Sequence, residues 1–226
     1  MQVDIRHSPS FSVARCLLGP REAVRMESGS MMATSPDVQV EAKMQGGLLK
    51  SLKRGVLGGE SVIMTTMTAP DAGGWVDVAA NLPGDLITRE VAPGRPLFIQ
   101  AGSYLASEGG VEIETKWGGF KNLFGGEGGF LIRAEGQGKV LLSCYGALDS
   151  YRLAPGERLV LDSGHMVAFE EGVTSKLRRV AGTWTSVKSG EVLVFEFEGP
   201  GEVLSQSRNP NQLVEWLTER LPFTRS

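Results

Sequence analysis

A glycine, an alanine four residues later and a valine five after that recur three times in this chain, as Gly29-Ala33-Val38, Gly102-Ala106-Val111 and Gly164-Ala168-Val173. Basic residues and glycine-containing turns follow each copy, and then a Gly-Glu pair opens an apolar run, at Gly59-Glu60, Gly126-Glu127 and Gly190-Glu191. One internal spacing kept while the linkers change length marks a repeated supersecondary unit. Gly29, Gly102, Gly164, Glu60, Glu127 and Glu191 are therefore read as structural markers of the repeat. The units run roughly over 10–80, 81–145 and 146–208. A unit of that size buries its apolar face only against its neighbours, so 1–226 reads as a single domain.

The class of the unit follows from its texture. Short apolar or alternating runs at 10–18, 61–68, 75–80, 96–101, 129–134, 140–145, 158–162 and 192–198 stand between Gly, Pro and Asp turns, which is the pattern of an all-β sandwich or barrel. Glycine is abundant, with 30 residues, as many tight turns require. AGGW at 72–75, GQGK at 136–139 and GPGE at 199–202 each separate two runs and read as hairpin reversals. The end of the chain differs. Asn209 suits an N-cap and Pro210 the first helical position, and Leu213, Val214, Trp216, Leu217 and Leu221 follow at spacings of three and four. This predicts a helix over about 210–221 that lies on the β body by its Leu/Trp face and covers an open edge.

Charge and cysteine content narrow the partners. A net charge of −3 provides no long-range attraction for nucleic acid, which is not expected as a partner. Cys16 and Cys144 sit in apolar runs and read as small buried hydrophobes of a reducing compartment. The first twenty residues carry Asp4 and no continuous apolar stretch, which argues against a secretory signal, and their alternation suits a strand. The longest uncharged run, 96–107, is too short to span a bilayer as a helix. The expected location is cytoplasmic, peripheral to a membrane at most.

Reactive groups are few. His7 and His165 are the two histidines, and His165 fills the slot that Ser30 and Ser103 occupy in the other copies, so it reads as a polar structural position. Ser28 and Ser163 precede the repeated glycines outside any G-x-S-x-G frame, and Glu170-Glu171 falls in a variable turn. Neither GGLLKSLKRGVLGGES nor GGFKNLFGGEGG fits a phosphate-binding loop. No catalytic, cofactor-binding or metal-ligating residue is assigned, and no cofactor is expected.

Those two glycine-rich segments do mix large apolar and basic side chains. Leu49, Leu52 and Leu57 stand near Lys53, and Phe120, Leu123 and Phe124 flank Lys121. Such segments either cap one end of the sandwich with their lysines reaching water, or dock on another subunit, or touch an anionic lipid surface.

The strings GGLLKSLKRGVLGGES, NLPGDL, SEGGVEIETKWGGFKNLFGGEGGFLIRAEGQGKVLLSCYGALDSYRLAPGERLVLDSGHMVAFEEGV and SRNPNQLVEWL resemble the mitochondrial biogenesis family named for altered inheritance of mitochondria, in its bacterial branch. The resemblance covers about 11–217 and departs at Ser189-Gly190-Glu191, where the family pattern has a third Gly-Gly-Glu. It implies a β-rich fold of double-stranded β-helix type, similar at superfamily level to the tryptophan RNA-binding attenuation protein, and homo-oligomers; a trimer is the expected form. No catalytic residue comes with the family. The expected function is a non-enzymatic, self-associating scaffold or adaptor in a protein assembly or at an anionic membrane surface. The alternatives are a small-molecule or metal-binding β-barrel enzyme and, behind it, an RNA-binding protein.

Overall fold

The structure is a computed structural model that describes residues 1–44, 63–116, 131–180 and 192–221. A leading strand, β1 (Gln2–Arg6), precedes three sets of six strands. The first set is β2 (Val13–Leu18), β3 (Ala23–Glu27), β4 (Met31–Thr34), β5 (Gln39–Met44), β6 (Ile63–Thr68) and β7 (Gly74–Ala79). The second is β8 (Leu86–Val91), β9 (Leu97–Gln100), β10 (Tyr104–Glu108), β11 (Val111–Lys116), β12 (Leu131–Gly136) and β13 (Gly138–Ser143). The third is β14 (Leu148–Leu153), β15 (Arg158–Asp162), β16 (Met166–Glu170), β17 (Thr174–Val180), β18 (Val192–Glu198) and β19 (Gly201–Gln206), and the helix α1 (Pro210–Arg220) closes the described chain.

Every set pairs its strands alike, and every pair is antiparallel. The sixth strand lies between the first and the third, as β7 between β2 and β4, and the fifth lies between the second and the fourth, as β6 between β3 and β5. Each set therefore contributes to two sheets. The sets join where the third strand of one pairs with the second strand of the set before it: β10 on β3, and β16 on β9. The result is four sheets, ordered β1-β2-β7-β4, then β5-β6-β3-β10-β13-β8, then β11-β12-β9-β16-β19-β14, then β15-β18-β17.

Three apolar clusters hold the sheets face to face. Cys16, Val76 and Val78 of the first sheet meet Met26, Met67 and Leu141 of the second. Tyr104, Val140 and Leu142 of the second meet Ile99, Ile132 and Leu204 of the third. Met166, Phe169 and Val203 of the third meet Phe195 and Phe197 of the fourth. The two middle sheets are thus covered on both faces, while the first and last have one outer face each.

Two expectations need correction. The turns at 72–75, 136–139 and 199–202 do not reverse hairpins, because β6 and β7, like β12 and β13 and like β18 and β19, belong to different sheets. They are corners that carry the chain from one sheet to its neighbour, and Gly73, Gly136 and Gly201 supply the positive φ such corners need. Within the sets the hairpins join β5 to β6, β11 to β12 and β17 to β18, through segments outside the described residues, and a further hairpin joins β1 to β2. The helix is where the spacing puts it, with Asn209 Oδ1 accepting from Asn211 N at 2.9 Å and Pro210 opening it. Among the described residues it buries no sheet edge: none of its own residues is buried, and Val214, Trp216 and the following Leu221 are exposed.

Candidate functional site

The residues assigned from sequence to lipid or partner contact, Leu49, Leu52, Lys53, Leu57, Phe120, Lys121, Leu123 and Phe124, lie outside the described residues, as do the markers Glu60, Glu127 and Glu191. The three marker glycines are described, and each leads into the third strand of its set. Gly29 turns at φ 91, a region that suits glycine. Gly164 is required by contact instead, since a Cβ there would come within 2.0 Å of Asn209 Nδ2.

The alanine of the motif explains the conservation of its spacing inside the chain. Each third strand bulges against the sixth, between Met31 and Ala33, Tyr104 and Ala106, and Met166 and Ala168. The pleat sends Tyr104 into one cluster and Leu105 into the cluster before it, and the bulge then puts Ala106 in the same cluster as Leu105; Met166, Val167 and Ala168 do the same one sheet further on. After the bulge the alanine opens the seam between sets. Ala106, Ser107 and Glu108 pair with Met26, Arg25 and Val24, and Ala168, Phe169 and Glu170 pair with Ile99, Phe98 and Leu97. The second seam is packed tightly enough for Phe98 and Phe169 to stack at 5.2 Å between centroids.

Among the described residues no set precedes the first and none follows the third. β4 therefore ends the first sheet and β15 ends the fourth, each with one side unpaired among the described residues. The difference in burial is large. Leu105 and Val167 are 0% exposed, whereas Met32 in the same place is 55% exposed and its neighbour Met31 46%. Val160 of β15 is 60% exposed. Unpaired edges with apolar side chains are templates for strand addition, so β4 and β15 form the candidate site. Sequence reasoning missed them. The available signal was Met31-Met32, an apolar pair standing where Tyr104-Leu105 and Met166-Val167 stand.

Charges around the edges are matched. Asp77 takes the position that Leu141 and Leu204 hold in the other sets, opposite the alanine. It accepts from Arg15 Nε and Nη2 at 2.8 and 2.9 Å and from Arg6 Nη2 at 2.8 Å. The Arg15 hydrogen bonds hold its carboxyl below the usual range, against the opposing pull of burial and with help from Arg6. Arg15 in turn lies over the Trp75 ring at 4.0 Å. On the fourth sheet, Arg158 and Arg178 both pair with Glu196.

Two other polar places have hydrogen-bonded side chains. A cleft of about 410 Å³ beside the second seam is lined by Arg89, Arg95, Glu170 and Glu202. Glu202 already takes Arg89 at 2.9 and 3.1 Å and Ser150 Oγ at 2.6 Å, and Glu170 accepts from the Glu202 backbone N–H at 3.0 Å. His165 Nδ1 meets the Gln206 carbonyl at 2.7 Å. Among the described residues no group of three His, Cys, Asp or Glu is placed to hold a metal ion. Both cysteines are free and buried; burial pushes the Cys16 thiol up to about 12 and raises that of Cys144. Neither is an activated nucleophile.

Residues 3–208 match the family described as Mitochondrial biogenesis AIM24. An uncharacterised protein of Streptococcus pyogenes serotype M6 is 27% identical over 230 residues, spanning 98% of this chain and 92% of that one. A crystal structure of a Streptococcus pyogenes protein, from a structural genomics consortium, superposes with a TM-score of 0.80 at 25% identity, covering 97% of this chain and 99% of that one.

Proposed function

The chain belongs to the mitochondrial biogenesis AIM24 family, and from that premise we propose that it is a non-enzymatic scaffold that works by associating with itself through its sheet edges. The observation that carries this reading is the exposure of β4 and β15, when the equivalent strands β10, β16, β3 and β9 are paired on both sides. A strand edge recognises another strand chiefly by main-chain hydrogen bonds, and so suits assembly rather than selection of a small ligand. We read the three sets as copies of one β unit, of the double-stranded β-helix type similar to the tryptophan RNA-binding attenuation protein superfamily. The identical pairing within each set supports this. Among the described residues no helix is long and apolar enough to cross a membrane.

Sedimentation velocity of the purified protein from low to high micromolar concentration tests the scaffold reading. The expected result is a monomer that gives way to multiples of the chain mass as concentration rises. A monomer across the whole range would remove self-association from the account.

A further inference from the structure

Resting on the scaffold reading, we infer that the partner is a second copy of this chain, added head to tail, with β4 of one copy pairing antiparallel with β15 of the next. The chain itself contains this joint twice. At both seams the third strand of a set lies on the second strand of the set before it, starting from the alanine after the bulge. β4 is the third strand that lacks its partner, and β15 is the second strand that lacks its own.

The register follows from the two internal examples. Gln100 and Asp162 each stand at the N-cap position of a single turn of 3₁₀ helix, which aligns β9 with β15. Leu161 then corresponds to Ile99, Val160 to Phe98 and Leu159 to Leu97. Carrying the seam across, Ala33 pairs with Leu161, Thr34 with Val160 and Ser35 with Leu159. Met32 takes the role of Leu105 and Val167 and enters the space behind the fourth sheet. Val160 and Met32, the apolar side chains that both edges leave in water, are covered by the same event.

Two further features sit at the same ends. β1 pairs with β2 and so extends the far side of the first sheet, leaving the β4 side open. The helix α1 starts from Asn209, packed on Gly164 in the turn directly after β15, and its Val214 and Trp216 and the following Leu221 are exposed. Opposite the alanine of β4, on the side away from the joint, Asp77 with its two arginines stands where the other sets have a leucine. Because the two edges differ, every added copy presents the same free edges again, so growth gives open rows or closed rings rather than only pairs.

The test uses the full chain with Thr34→Cys in one preparation and Val160→Cys in another; Cys16 and Cys144 are buried. Each is oxidised alone and after mixing, at a concentration where sedimentation shows association, with circular dichroism confirming the fold. Facing side chains in an antiparallel pair come within disulfide reach. The expected result is a disulfide dimer in the mixture and almost none in either preparation alone. Dimers formed by one variant alone, with no gain on mixing, would overturn head-to-tail addition and leave self-association standing. Association without a cross-link in any combination would also overturn it. An absence of both association and cross-link would overturn the scaffold reading itself.

Discussion

Leu105→Ala is expected to cost about 3 kcal/mol of folding stability, whereas Met32→Ala in the same place of the first set costs less than about 0.5 kcal/mol in the dilute monomer. Leu105 is fully buried against the first sheet, so truncation loses the transfer free energy of its side chain and leaves a cavity that close-packed neighbours fill only in part. Val167→Ala falls between them, at about 2 kcal/mol, because fewer atoms are removed from an equally buried site. Met32 already stands mostly in water, and alanine there changes little. Denaturant unfolding of the three variants measures all three costs. Equal losses at Leu105 and Met32 would mean that the first set is packed as the others are, and the open edge would be lost from the account. Met32→Ala is expected instead to weaken association in sedimentation.

Asp77→Ala is expected to cost about 2 kcal/mol at neutral pH, the scale of charged hydrogen bonds lost at a buried acceptor. The two arginines it frees are each about one-third exposed and rehydrate, which keeps the loss below that of a fully buried pair. The pH dependence has a definite sign. The native carboxyl titrates below the unfolded one, so its contribution is complete above about pH 4 and is lost as pH falls through the lower native value. Asp85 acts in the same direction: burial pushes its carboxyl up, but Ser8, Ser12 and the Leu86 N–H outweigh it. Unfolding followed from pH 7 to pH 2 should show wild type and Asp77→Ala converging below about pH 4. A constant difference over that range would assign the loss to packing rather than to charge.

Part of this fold was legible in the residues. β6, β7, β12, β13, β15 and β18 announce themselves by apolar runs between glycine turns, and Asn209-Pro210 announces the helix. The third strands were not read, for a physical reason. In β10 the bulge and the two-sided burial place Tyr104, Leu105 and Ala106 all out of water, so the two-residue alternation that marks a strand is erased. β14 is equally silent, because four of its six residues are exposed. The glycine-alanine spacing was visible, yet its meaning was not: the alanine marks where one set meets another, a tertiary fact. Reading the helix as a cover failed for a related reason. Its apolar face is real, but amphipathic spacing says that a face is apolar, not what lies against it, and here the described residues bury none of it.

Amide hydrogen exchange at low and high protein concentration tests the central claim most directly, that β4 and β15 are two halves of one joint. The amides of β10 and β16 should be protected at both concentrations, being paired on both sides within the chain. Those facing outward from β4 and β15 should exchange fast when dilute and become protected together as the protein associates. Association with β4 and β15 unchanged, or with only one of them protected, would contradict the account.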